Sequence, residues 1–498
     1  MMFETPRRAL GWLIVISTGL RLVWGAVLGV GNDEAYHSLF VVHPDWSYFD
    51  HPPMTMWVEQ VGVFLAGGIT PLTLRLGFIL MFAGSTWVLF KWTARWHGEW
   101  AGFYAAFALN ITAYYTAAAG AFALPDGPLL FFSLLTLWAL SDALITRPGQ
   151  VLPWVWVGLA WGGAMLSKYH AAFLPAAAFL YVLVTPATRR CLRTSGPYLA
   201  IILGIAAFSP VLIWNVQNDW VSFTFQANRA VGWQFKPESL ARTIGGQALY
   251  LFPWIWVALL LVLVAQVKIG RQSAGIERLM SIQSAVPLAF FLAISCVRTN
   301  LPHWSLVGFV PMFPALGAKW AQQMQTSPTQ MRRKLVFGVT ITIVGAILAA
   351  GQTRLGIIPL KKDPTWDMSG WPSVTRELES RGLVGKPNTF FFTSRWFTSG
   401  HLAFEIGNRS PVLCYNPGDA HSFADWSQPE DWVGKDGILV SLDDRIHEAE
   451  MYAPFFRRVE LIAEFPMTRN GIPFRTVRVY RCFEQLLPFP FKRVRPGS

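Results

Sequence analysis

Long apolar runs recur along almost the whole of the first 350 residues, and they leave few folds open to this chain. About eleven of them, of roughly 15 to 24 residues each, lie at 9–30, 73–90, 100–118, 127–145, 153–167, 170–185, 197–216, 243–266, 279–297, 304–320 and 335–351, lengths that suit helices crossing a bilayer. The first follows Arg7 and Arg8 but has no small-residue cleavage site, so it reads as an uncleaved first span. Only 14% of residues are charged against 53% hydrophobic, where soluble proteins carry roughly 25% charged residues. A soluble globule is therefore excluded. The net charge of +12 would suggest nucleic acid in a soluble chain. Here the basic residues sit between apolar runs, so the charge orients the protein and names no nucleic-acid partner.

Alternate loops are basic: Lys91 with Arg95, Arg147, Arg189 with Arg190 and Arg193, Lys268 with Arg271 and Arg278, and Lys319 with Arg332, Arg333 and Lys334. All fall on the side of the N-terminus, and an odd number of spans then puts the C-terminus outside. The expected architecture is an all-α polytopic bundle over 1–351, with polar, aromatic outer loops at 31–70 and 217–242 lying over it. Residues 352–498 lose the long apolar runs and gain short β-type segments at 389–393, 411–415, 437–442, 459–465 and 475–483, with a helix over 398–406. They read as a small α/β domain outside the membrane. Cys414 and Cys482 flank such segments, and an oxidising compartment would permit a disulfide between them. No phosphate-cradling glycine loop occurs, which disfavours direct use of ATP or a nucleotide sugar.

The densest polar cluster follows the first span: Asn32-Asp33-Glu34-Ala35-Tyr36-His37, then Tyr48-Phe49-Asp50-His51-Pro52-Pro53. Adjacent carboxylates at a membrane surface are costly unless solvated or used. An acidic outer loop that only satisfies topology is the plain alternative. Asp126 opens the fourth span and Lys168-Tyr169-His170 interrupts the apolar stretch between the fifth and sixth, both on the same outer side. Helix capping explains Asp126 alone and snorkelling explains Lys168 alone; neither explains their common level. Arg75 and Arg229 are further candidate phosphate partners, each with an ion-pair or anchoring alternative, and Arg21 is expected to pair with another helix. His303 and Trp304 could line the same cavity. Asp33 and His37 are spaced i, i+4, which suits a shared metal or an ion pair equally. No third ligand is fixed by spacing, so a divalent metal is left possible but no cofactor is firmly expected, since Lys168 and the neighbouring arginines could neutralise a phosphate without one and a chelator is expected to be harmless.

Taken in order, Asp33-Glu34-Ala35-Tyr36, Tyr48-Phe49-Asp50-His51-Pro52-Pro53-Met54, Pro125-Asp126-Gly127-Pro128-Leu129-Leu130-Phe131-Phe132, Ser167-Lys168-Tyr169 and Ile213-Trp214-Asn215 with Asp219-Trp220 and Ser222-Phe223 resemble the bacterial branch of the dolichyl-phosphate-mannose protein mannosyltransferases. Aminoarabinose transferases of lipid A are relatives of that branch. The tail, with Ser394-Arg395 and Cys414-Tyr415-Asn416, is similar to the family's soluble appendage. The resemblance implies a C-type glycosyltransferase fold, a site on the extracytoplasmic face of the bacterial inner membrane, and a polyprenyl-phosphate sugar donor.

It also implies that Asp33, beside Glu34, is the base or organising carboxylate, with Asp126 as the second. Lys168, Arg75 and Arg229 are then expected at the donor phosphate, with Tyr36, His37, Asp50, His51, Tyr169, His303 and Trp304 around the substrates. The acceptor is a lipid, glycan or protein. A flippase or solute transporter using the same charges is the rival reading, although transporters keep such groups nearer the bilayer midplane.

Overall fold

The computed structural model describes residues 5–230, 235–360, 363–442 and 448–490. The expected loop 217–242 and the expected domain 352–498 therefore extend in part over residues outside those described. Sixteen helices come first: α1 (Pro6–Val27), α2 (Asn32–Val42), α3 (Met54–Ala66), α4 (Pro71–His97), α5 (Glu99–Ile111), α6 (Ala113–Ala117), α7 (Asp126–Ser141), α8 (Leu152–Ser167), α9 (Phe173–Val184), α10 (Gly196–Gln217), α11 (Val221–Ala230), α12 (Pro237–Leu251), α13 (Pro253–Gln272), α14 (Ile276–Ser295), α15 (Phe313–Thr326) and α16 (Pro328–Leu355). Among the described residues, seven helices are long and apolar enough to cross a membrane, or eight if a bent pair counts as one span. The chain is a multi-pass membrane protein.

The difference from about eleven unbroken spans has local causes. The run at 243–266 divides at Phe252, whose φ is 63° and which precedes Pro253; a residue before proline is pushed out of the helical region. The run at 100–118 breaks at Thr112 between α5 and α6. That at 304–320 begins as a 3-10 segment, Pro302–Met312, with prolines at 302 and 311, because proline lacks the N–H a longer helix needs.

Small residues set the closest contacts. Gly158 and Gly162 lie one turn apart on α8 and face α10: a Cβ on Gly158 would stand 2.6 Å from Ala200 O, and one on Gly162 2.5 Å from Ala207 Cβ. This is the close backbone approach that helix pairs in lipid use in place of a hydrophobic driving force. Arg21, on α1, donates to Ser17 O, Thr116 O and Thr116 Oγ1 at 3.0, 3.4 and 3.3 Å, so it pairs with α6 as its mid-span position suggests.

The C-terminal part adds α17 (Trp371–Ser380), β1 (Thr389–Thr393), α18 (Trp396–Ile406), β2 (Val412–Cys414), β3 (Asp436–Leu442), α19 (Glu448–Tyr452), β4 (Phe456–Arg469) and β5 (Ile472–Gln485). The sheet order is β2-β1-β3-β5-β4. β1 is parallel to β2 and β3, β5 antiparallel to β3 and β4. The β4–β5 hairpin turns at Asn470-Gly471, both at positive φ, the two-residue turn that matches strand twist. Cys414 and Cys482 are both free and buried. They lie on β2 and β5, three strand steps apart or about 14 Å, which corrects the disulfide expectation, since a bridge needs Cα atoms within about 7 Å.

The sheet domain packs on α2. A Cβ on Gly400 of α18 would stand 3.0 Å from Tyr36 N and Cα. His401 Nε2 is 3.0 Å from Asn32 Oδ1, and the Ser422 N–H donates to Tyr36 Oη at 3.1 Å. Docking there brings the sheet domain to the end of the helical part that carries the polar cluster.

Candidate active site

At that end a cavity of about 790 Å³ opens between the helices and the sheet domain. Its walls include Asp33, Glu34 and His37 of α2, Asp50 and His51 of the following loop, Asp126 at the start of α7, Lys168 at the end of α8, Arg229 of α11, and His303 with Trp304. The structure thus gathers residues spread over some 270 positions of sequence.

Asp33 has its surface open to the cavity although it lies well below the outer surface of the protein. No hydrogen bond or ion pair engages its carboxylate among the described residues. Burial raises its pKa above the ordinary carboxylate value; Asp50 and Asp126 act in the same direction, His37 and Lys168 against it.

Glu34, its neighbour, is fully engaged. Arg75 Nε and Nη2 donate to its two oxygens at 2.7 and 2.6 Å, and the Gly31 and Ala123 N–H groups donate at 2.9 Å each. Arg75 Nη1 donates to Gly25 O and Leu28 O at 2.8 Å each, and Nη2 to Gly29 O at 2.7 Å. All five N–H donors of that guanidinium are therefore spent inside the protein, and the side chain is wholly buried. This corrects the sequence expectation: Arg75 has no donor left for a phosphate, and Glu34 has no oxygen left for a proton transfer. The pair ties α2 to α4 and to the end of α1.

Asp126 and Lys168, expected in separate roles, meet. Lys168 Nζ lies 2.9 and 3.0 Å from the two Asp126 oxygens, and Tyr114 Oη donates to Oδ1 at 2.6 Å. The Asp126 carboxylate thus points sideways into this network instead of capping its own helix. Tyr114 was not singled out in the sequence; a tyrosine pair inside an apolar run gives no sign of which neighbour it meets. Arg229 lies over the rings of Phe225 and Trp304, at 4.2 and 5.7 Å.

Two expected cavity residues lie elsewhere. Tyr36 is fully buried against Phe40, Trp396 and His421, where it seats the sheet domain. Tyr169 packs against Phe208 and Phe223. In their place the sheet domain contributes Trp396, Phe397 and His421 to the cavity wall, and the segment before it Asp367. His421 holds φ 47° and sets Nδ1 2.6 Å from Asp419 Oδ1, off the line of a hydrogen bond. Nothing in its sequence surroundings marks it.

His37, Asp50 and His51 present one ligand atom each within 4.8 Å of one another. Asp50 Oδ1 and His51 Nδ1 are buried without a hydrogen-bond partner, and burial holds His51 neutral, with its pKa pulled down to about 3. Two neutral-capable imidazoles and a carboxylate suit a divalent cation; of the spaced pair Asp33 and His37 only His37 belongs to this set, and Asp33 does not.

The chain is similar to known proteins in sequence and in fold. Residues 50–214 match the family described as dolichyl-phosphate-mannose-protein mannosyltransferase. The crystal structure of ArnT from Cupriavidus metallidurans bound to undecaprenyl phosphate superposes with TM-score 0.65 at 17% identity, over 94% of this chain and 98% of that one. The chain has the C-type glycosyltransferase fold. An archaeal oligosaccharyltransferase, AglB from Archaeoglobus fulgidus, in complex with an inhibitory peptide and a dolichol-phosphate, shares it more distantly, with TM-score 0.51 at 12% identity over 90% of this chain and 70% of that one.

In sequence, the chain is 29% identical over 187 residues to the lipid A galacturonosyltransferase RgtD of Rhizobium johnstonii, which is 38% of each chain. It is 27% identical over 243 residues to an undecaprenyl phosphate-alpha-4-amino-4-deoxy-L-arabinose arabinosyl transferase of Pseudomonas fluorescens, 46% of this chain and 41% of that one. These matches span about two fifths of the curated relatives.

Proposed function

We propose that the protein is an integral membrane glycosyltransferase of the bacterial inner membrane, its cavity and sheet domain on the extracytoplasmic face. It moves a sugar from a polyprenyl-phosphate donor to a hydroxyl of a lipid, glycan or protein acceptor. The observation that carries this reading is the unengaged carboxylate of Asp33 in a cavity that also holds the Lys168–Asp126–Tyr114 network. A site outside the cell membrane has no nucleotide pool, so an activated sugar reaches it anchored in lipid. The solved relative bound to undecaprenyl phosphate supports that donor class.

In this reading the acceptor hydroxyl gives its proton to Asp33 as its oxygen bonds to the anomeric carbon. The bond from that carbon to the phosphate oxygen breaks, and its electron pair leaves with polyprenyl phosphate. One displacement inverts the anomeric centre. Lys168, held by Asp126, and Arg229 supply positive charge for the departing phosphate. A divalent cation on His37, Asp50 and His51 would add charge to the same end of the cavity. The experiment is transfer from synthetic polyprenyl-phosphate sugars by the purified protein, followed by mass spectrometry; a folded protein that transfers none of a panel of such donors, yet moves them across liposomes, would replace the enzyme by a transporter.

A further inference from the structure

A second cavity, about 300 Å³, lies between α13, α15 and α16 and shares no lining residue with the first. It exists because α16 leans on the bundle at few points. Gly338 and Thr342 make one of them: a Cβ on Gly338 would stand 2.9 Å from Ile111 Cδ1, and Thr342 Oγ1 donates to Ile111 O at 2.9 Å. On the N-terminal side of that contact Phe337 meets Trp254 of α13 edge to face, ring centroids 5.1 Å apart, and closes one wall of the gap. The floor of the gap is Trp254, Val257, Ala258 and Leu261 of α13, spaced as one face of a helix.

The mouth is polar. Lys319 and Gln323 are one turn apart on α15, and Lys334 directly precedes the apolar run of α16, about 6 Å of helix rise before Gly338. Neither lysine has an ion pair or hydrogen bond among the described residues, the cavity lining holds no carboxylate, and the stretch 313–337 contains no Asp or Glu. An apolar slot capped by two unpaired cations, at the end of the bundle where the basic loops lie, matches one kind of molecule: acyl chains below and a negatively charged headgroup above. A zwitterionic headgroup would bring its own cation, for which the mouth has no acidic partner.

We propose that this cavity binds an anionic phospholipid, with a chain along the α13 face and the phosphate between Lys319 and Lys334. The inference is independent of the reaction assigned to the first cavity. The test uses the purified full-length protein, titrated with phosphatidylglycerol, with phosphatidylcholine of the same chains, and with glycerol phosphate, read by native mass spectrometry and by thermal unfolding.

The expected result is one retained phosphatidylglycerol per protein, about tenfold preferred over phosphatidylcholine, with no response to glycerol phosphate. The double change Lys319→Gln/Lys334→Gln removes the preference and Lys319→Arg/Lys334→Arg keeps it. Ala258→Trp, which fills the floor and leaves both lysines in place, abolishes retention. Arg332→Gln/Arg333→Gln, on the same helix end but outside the cavity, changes nothing. Equal retention of the two lipids, an unchanged preference in the glutamine double variant, or a loss carried by Arg332 and Arg333 would overturn the proposal.

Discussion

Lys168 Nζ sits 2.9 and 3.0 Å from the two oxygens of Asp126, joining the end of α8 to the start of α7 at the cavity wall. Both side chains are nearly buried, so removing one strands the other, at a cost of about 3–5 kcal/mol for a buried pair. Lys168→Ala is expected to lower the unfolding temperature and weaken donor binding, and Lys168→Arg to keep much of both because charge and reach survive. Isothermal titration with the lipid-phosphate donor checks this; the same affinity in all three proteins would remove Lys168 from the donor site.

Arg75 and Glu34 should behave as structure. Arg75→Lys keeps a charge but loses the fork that serves two oxygens and three carbonyls. The expectation is a clear fall in thermal stability, with KM for the donor unchanged in the folded fraction. A tenfold rise in KM at unchanged stability would restore Arg75 to the phosphate.

The separation of these two arginine and lysine roles marks what could be read from the sequence. Apolar runs and loop charge disclose a polytopic chain, and the polar interruptions at 33–37, 50–51, 126 and 168 are visible because lipid makes them conspicuous. Which carboxylate stays open is invisible: Asp33 and Glu34 are adjacent and chemically alike, and only the approach of Arg75 from α4 decides between them. Helix breaks at Thr112 and Phe252 escape because hydropathy has no memory of φ, although Pro253 was a cue. The strand segments 459–465 and 475–483 fall inside β4 and β5, and Asn470-Gly471 between them was a hairpin signal that extends both. His421 and Trp396 could not be found, since their place depends on how the sheet domain docks.

That docking yields its own prediction. Gly400→Val places a branched side chain against the Tyr36 backbone, an overpacking that costs about 1–3 kcal/mol. Limited proteolysis between α16 and β1 should accelerate and transfer should fall, with the helical circular dichroism signal unchanged. Wild-type proteolysis and full activity would show that the sheet domain does not complete the cavity.

The ligand set His37, Asp50 and His51 predicts that Mn²⁺ or Zn²⁺ raises the unfolding temperature of the wild-type protein and leaves that of Asp50→Ala unmoved. Dialysis against EDTA should lower transfer, and the cation should restore it. An unfolding temperature indifferent to every divalent ion would leave the three side chains as a buried polar cluster that holds no cation.

Burial raises the Asp33 pKa, and a base must be deprotonated to work. On lowering the pH, kcat/KM should therefore fall with a midpoint above the ordinary aspartate value of about 4. A rate that is flat from neutrality down to that value would contradict the assignment.

The most direct measurement of the central claim is single-turnover transfer from a polyprenyl-phosphate sugar by wild-type protein and by Asp33→Asn, with matched unfolding temperatures. The expected result is one polyprenyl phosphate released per sugar transferred, an inverted anomeric linkage, and a rate roughly 10²–10⁴-fold lower in the variant. A variant within a few-fold of wild type, or a product that retains the donor configuration, would contradict it.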